Sequence, residues 1–211
     1  MESLVRGGTR WKRFAVVMVP SVAATAAIGV ALAQGALAAS FSVSGQSFKV
    51  SADKLDGRGF TQYGSIDTGT DLKGNKSANP VAVSGFTSAK ITNMCQSVVT
   101  PDVPIFGSIS LQLKAGGGAT PVSAKNLYID VADLNANATF TNIDIGVAAG
   151  ETKGAGIAPG DKGKTNPYGF AQQAERAVLT DVKQTAWATT AGTFKLSGLS
   201  MKLFKGTKEC Y

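Results

Sequence analysis

Side chains that alternate between apolar and polar, in short runs broken by turn residues, recur through most of this chain and narrow its fold more than any other feature. Ser108-Ile109-Ser110-Leu111-Gln112-Leu113 is one such run, and Asn126 to Val131, Asn142 to Val147 and Gly198 to Leu203 repeat its form. A period of two puts Ile109, Leu111 and Leu113 on one face of an extended strand and their neighbours on the other. β-forming runs also stand at Phe41 to Val50, Gly59 to Ile66, Val81 to Phe86, Ile105 to Leu113, Leu127 to Val131, Leu134 to Phe140, Ile143 to Val147 and Thr193 to Phe204. Many short strands punctuated by Gly, Asn and Asp predict an all-β domain. An antiparallel β-sandwich or a curved sheet fits best. Three of the alternating units begin at 108, 126 and 142, so a short β-solenoid with one unit per rung is the alternative.

Two stretches depart from this pattern. Residues 150–166 are rich in Gly and Lys and poor in bulky apolar side chains, which predicts a flexible surface loop or a lid. From Tyr168 to Lys183 the spacing of Phe170, Ala174, Ala177 and Val182 is helical, although Val178-Leu179-Thr180-Asp181-Val182 also reads as a strand. One short helix is expected there.

The compartment is set by the N-terminus. Arg6, Arg10, Lys12 and Arg13 form a positive cluster against Glu2 alone, and no charged side chain occurs from Phe14 to Ala39. Ala36-Leu37-Ala38 then offers small residues where a signal peptidase reads them. This order predicts a secretory signal peptide over 1–38, cut after Ala38. The rival is an uncleaved apolar helix that anchors the chain and touches the membrane through residues 14–39. In both cases 39–211 is expected to be a single β-rich extracytoplasmic domain, long enough for its own core. Outside the cytoplasm a lone cysteine pair, Cys95 and Cys210, is expected to form a disulfide. Closing so long a loop is worth roughly 4 to 5 kcal/mol in the chain-entropy model.

After Ala38 the charge is 17 Lys/Arg minus 13 Asp/Glu, or +4, spread without long blocks, which argues against a nucleic-acid footprint. The mild excess suits an anionic partner such as a cell-wall polymer, a lipid or an envelope protein.

Catalytic chemistry is narrowed by one absence. The chain contains no histidine, so Ser-His-Asp and Cys-His catalysis lack their base. No Gly-x-Ser-x-Gly elbow occurs either. Ser51-Ala52-Asp53-Lys54 matches S-x-x-K by letter, but that dyad works on a helix and this run is β-type. Asp53, Asp56, Asp67 and Asp71 fall in turn-like sequence and read as solvated turn residues. Asp133, Asn135, Asn137 and Asp144 imitate a calcium loop, with Ala138 where its glycine belongs. The same stretch alternates as a half-buried strand with a polar outer ladder, which explains it better. No cofactor motif is present, and no catalytic residue can be named.

Several blocks carry a resemblance: FTQYGSID (60–67), TNMCQSV (92–98), ATFTNIDIG (138–146), FAQQAE (170–175), QTAWATTAGTF (184–194) and KLSGLSMKLFKGTKECY (195–211). They resemble an uncharacterised family of exported proteins of mycelial, high-GC Gram-positive bacteria, whose members often bear the label "cholesterol esterase". The resemblance implies an exported protein with a lipid-related role, and it supplies no catalytic residues. The residues themselves disagree with hydrolysis. The expectation is a non-enzymatic secreted or cell-envelope protein that acts as a binding or structural module. A binder of an apolar, lipid-like ligand, with Phe140, Trp187 and Phe194 as candidate lining, is the second expectation, and a lipid esterase the third.

Overall fold

The computed structural model describes Met18 and residues 43–211. The expected signal peptide or membrane helix over 1–38, its cleavage after Ala38 and any membrane contact through 14–39 fall outside the described residues, Met18 apart. Among the described residues no helix is long and apolar enough to cross a membrane.

The described chain is all-β. Its strands are β1 (Val43–Gly45), β2 (Phe48–Asp71), β3 (Lys76–Thr92), β4 (Met94–Val103), β5 (Gly107–Ala115), β6 (Val122–Ala148), β7 (Phe170–Lys195) and β8 (Ser200–Lys205). They lie in one sheet in the order β3-β6-β7-β2-β4-β5-β8, with β1 beside β2. Strand β2 also pairs with β3, so the circuit β2–β3–β6–β7–β2 returns on itself. The β1–β2 pair is parallel and the other strand pairs among the described residues are antiparallel. This is an antiparallel curved sheet. Stacked rungs of a solenoid would need parallel neighbours, so that alternative gives way.

The expected strands are longer and fewer than the sequence suggested. Leu127 to Val131, Leu134 to Phe140 and Ile143 to Val147 fuse into β6, which passes through left-handed residues at Asn142 (φ 52°) and Gly146 (φ 90°) and through register shifts between Asp130 and Asp133, at Asn135/Asn137 and at Ile145/Val147 without reversing the chain. The short helix expected within 168–183 is instead part of β7. Its inward residues Ala171, Ala174, Ala177, Leu179 and Val182 repeat partly by threes, which imitates helical spacing. The kink at Asp181 (φ 56°) inserts one such extra residue between Leu179 and Val182.

Three interruptions line up across the sheet. Asn93 separates β3 from β4, residues 116–121 separate β5 from β6, and residues 196–199 separate β7 from β8. The Asn93 N–H donates to Gly116 O at 2.8 Å, and the Gly116 N–H donates to Ser197 O at 2.7 Å. These breaks divide β4, β5 and β8 from β3, β6 and β7.

On the limb formed by β4, β5 and β8, the side chains that become buried are not the ones alternation favours. Ser110 and Gln112 are buried, whereas Met201 and Leu203 stay exposed. The cause is the C-terminal tail, which returns across this limb. Ser110 donates to Gly206 O at 2.7 Å, the Lys208 N–H donates to Ser110 Oγ at 2.8 Å, and the Cys210 N–H donates to Ser97 Oγ at 3.0 Å. The Cys95–Cys210 disulfide fastens the tail, with Cα atoms 5.9 Å apart.

The four long strands bury side chains on both of their faces. On one face lies the main core, in which Leu55, Phe60, Phe86, Ile91, Leu127 and Val182 are packed together. Gly57 is needed there because a Cβ would run into the Phe86 ring. The other face carries a smaller core of Tyr63, Val81, Val83, Tyr128, Ala149 and Ala171. Residues 149–169 cover it.

Candidate functional site

Strand β2 alternates between the two faces, and each face builds a distinct site. Leu55, Phe60 and Gln62 point to the main core, while Thr61, Tyr63, Ser65 and Asp67 point to the segment 149–169.

On the main-core side, packing is incomplete. A cleft of ≈ 160 Å³ lies between β2, β3, β6 and β7. Phe60 forms its aromatic wall, with ring centroids 5.5 Å from Phe86 and 5.2 Å from Phe140. Ile129, Leu179 and Val182 complete the apolar lining, and Leu134, Ala136 and Ala138 line the β6 side. This part of β6 pairs with β7 but not with β3, whose pairing with β6 runs only from Val122 to Val131. Leu134 and Ala138 are the exposed members of this lining, on the side where β6 has no β3 partner. No charged side chain lines it.

Its polar side chains are Gln62, Ser84 and Gln184. Gln62 donates to Ser84 Oγ at 2.9 Å, and Gln172 donates in turn to Gln62 Oε1. Gln184 differs. It stands between Val182 and Ala186 in the inward row of β7, only 6% of its surface is exposed, and no described residue hydrogen-bonds its amide.

On the opposite face, the segment expected as a surface loop is tied down by a polar cluster. Tyr63 donates to Asp161 Oδ2 at 2.8 Å and accepts the Ala158 N–H at 2.8 Å. Tyr128 donates to Ala155 O at 2.7 Å, Thr165 donates to Ser65 Oγ at 3.1 Å, and the Ala155 N–H donates to Gly59 O at 2.9 Å. Gly154 allows this approach, because a Cβ there would collide with the Gly59 carbonyl.

Three carboxyl groups, of Asp67, Asp130 and Asp161, are buried in this cluster. Burial, followed by the neighbouring charges of Asp67 and Asp161, pushes Asp130 up to about 7, with Lys164 opposing. Burial and the charge of Asp161 also raise Asp67. Asp67 Oδ2 has no donor among the described residues while the carboxyls are ionised. Asp130 and Asp67 are close enough for each to shift the other, so one proton held on Asp130 would supply a donor to that carboxylate. Burial, above all, raises the Tyr63 phenol, which therefore stays protonated as a donor.

The residues singled out from sequence are scattered. Ser51 and Lys54 share β2, but Lys54 Nζ lies 3.8 Å from Asp56 Oδ2 and no hydrogen bond joins it to Ser51. Asp133, Asn135, Asn137 and Asp144 are strung along the exposed part of β6, which places its ends on the order of 30 Å apart if fully extended. Asn137 donates to Asp181 and Asp144 accepts from Gln173, each across to β7. Among the described residues no group of three or more His, Cys, Asp or Glu converges to hold a metal.

The four aspartates read as turn residues all lie in β2. Asp71 does hold the following turn, accepting the N–H groups of Lys73 and Asn75. Asp56 instead pairs with Arg176, whose guanidinium holds its carboxyl below the usual range, and Asp67 is buried. Of the three candidate lining aromatics, Phe140 reaches the cleft. Phe194 packs against the main core and Trp187 against the smaller one.

Gln184, Asp130 and Asp161 were not singled out by sequence reasoning. A polar residue inside an apolar row was the available signal for Gln184 and Asp130. Nothing local distinguished Asp161 from any other loop carboxylate.

A family model matches residues 44–211, which is most of the chain and nearly all of its described part. The chain belongs to this family of unknown function, DUF6230. No curated protein matches it, and no solved structure does. The family supplies no site, so function has to be argued from the cleft and the cluster themselves.

Proposed function

We propose that this chain is a non-enzymatic binding module of the cell exterior or envelope, and that it holds an apolar, lipid-like ligand in the cleft beneath Leu134 and Ala138. The observation that carries the reading is an uncharged, mostly apolar cleft left open on the main-core face of the sheet. Clefts of this make-up, apolar walls with a few convergent polar groups, are the usual form of small-molecule sites. The Cys95–Cys210 bridge fits an oxidising compartment, and the basic cluster before an uncharged apolar run supports export. A binding role is favoured over hydrolysis because the sequence has no histidine and Lys54, the other half of the S-x-x-K run, is turned to Asp56.

Organic extraction of the purified full chain, followed by mass spectrometry, tests the reading. Extraction is expected to release an apolar compound from the wild type and much less from Ala138→Trp, which fills the cleft. Equal yields from the two proteins would count against the cleft. Turnover of a p-nitrophenyl ester that disappears in Ser51→Ala would replace the reading with an esterase.

A further inference from the structure

Gln184 lies where the lining of the cleft needs no polar group. The inward row of β7 runs Val182, Gln184, Ala186, and its other two members are buried apolar residues of the main core. A leucine or methionine in place of Gln184 would complete that row. Burying an amide without a hydrogen bond is unfavourable, and such groups in folded proteins nearly always have a partner. Gln184 has none among the described residues, yet it is not sealed in, because it borders the cleft. On the same lining Gln62 donates to Ser84 Oγ and accepts from Gln172, so these side chains are engaged with one another. Among the polar side chains of the lining, Gln184 is the one with no side-chain hydrogen bond among the described residues, and it is free to address whatever enters.

An amide offers both a donor and an acceptor and carries no charge. With no charged side chain in the cleft, an ionised head group would lose its hydration without compensation. A neutral hydroxyl, carbonyl or amide would meet its match. The volume of ≈ 160 Å³ sets the size of the enclosed portion. A cavity of about 150 Å³ holds one benzene molecule, so a ring or a short stretch of chain fits inside and a larger molecule would emerge on the side of Leu134 and Ala138.

We infer that the cleft selects neutral apolar molecules bearing a single hydrogen-bonding head, and that Gln184 is the residue that reads that head. This rests on the cleft being the binding position proposed above. Both statements are testable with three probes of nearly equal shape: toluene, benzyl alcohol and benzoate.

Binding of each probe to the purified full chain is followed by ligand-observed NMR, and the part of the signal lost in Ala138→Trp is assigned to the cleft. Wild type is expected to bind benzyl alcohol about 3- to 10-fold more tightly than toluene, the range of one net hydrogen bond, and to take up benzoate least. Gln184→Leu is expected to abolish or reverse the preference for the alcohol and to raise the midpoint of thermal unfolding. Gln184→Met repeats the test with an unbranched side chain, and circular dichroism confirms that each variant keeps its sheet.

Toluene and benzyl alcohol binding equally, with no change in either Gln184 variant, would overturn the role of Gln184 and leave the cleft standing. Benzoate binding as well as the alcohol would overturn the selection for neutral heads. No cleft-dependent signal from any probe would remove both this inference and the reading beneath it.

Discussion

The same strands, β2, β3 and β6, build two faces that solve burial in opposite ways. Beneath residues 149–169, the enclosed polar groups are drawn into a network of Tyr63, Asp161, Ser65, Thr165 and Tyr128, and three carboxyls are held at the cost of a retained proton. On the other face the walls are mostly apolar, the space is not filled, and the Gln184 amide has no partner among the described residues. A completed polar network tells of structure, because each group is already engaged. An unfilled apolar space with one idle polar group tells of a ligand.

That contrast can be challenged in order of expected effect. Phe86 is almost fully buried in the wall shared by the core and the cleft, so Phe86→Ala should destabilise the fold by about 3 to 5 kcal/mol in urea unfolding. A much smaller loss would mean that the cleft collapses to fill the gap and is too soft to hold a shaped ligand.

The acidic face predicts a pH dependence with a definite sign. Between the ordinary carboxyl value of 3.8 and about 7, folded Asp130 keeps a proton that the unfolded chain has released. Stability therefore falls as pH rises through this window and levels off above it. Asp130→Asn keeps the shape and removes the titration, so it should flatten the slope and stabilise the protein at pH 8 by about 2 to 4 kcal/mol. An unchanged slope would show that the Asp67–Asp130 pair is not where the proton resides. Asp56, depressed by Arg176, acts in the opposite sense and only at lower pH, where its loss begins as pH falls below the ordinary value.

Smaller effects should follow at the edges of the two faces. Gly154→Ala places a methyl group against the Gly59 carbonyl and should cost about 1 to 3 kcal/mol, while hydrogen exchange accelerates across 149–169. Leu134→Ala, at the mouth of the cleft, should cost under about 1 kcal/mol because the side chain is already 39% exposed. A cost as large as that of Phe86→Ala would mean that the mouth is a closed core under working conditions.

Much of the fold could be read from period two. Alternation and turn residues marked the β class. The lengths of the strands could not be read, because Asn142, Gly146 and Asp181 take left-handed backbone both in turns and in kinked strands. The helical spacing within 168–183 misled for the same reason. Extra residues in a strand shift its inward positions from twos to threes, and only the neighbours β2 and β6 show that this is a strand.

The candidate site was less legible than the fold. Phe140 was picked out as a lining residue and reaches the cleft, but the residues that define the two faces come from strands and a loop far apart in sequence. Asp67 and Asp161 are separated by most of the domain before segment 149–169 closes over β2.

By itself the sequence determined the β architecture, the cysteine pair available for bridging and the lack of any imidazole, because each follows from residue type and local spacing. Only the tertiary structure decided which face of each strand is covered. That choice depends on where the C-terminal tail and residues 149–169 come to lie, and it buries Ser110 and Asp130 while leaving Leu203 and Leu134 in water. Burial is a property of what packs above a side chain, and no run of neighbouring residues encodes it.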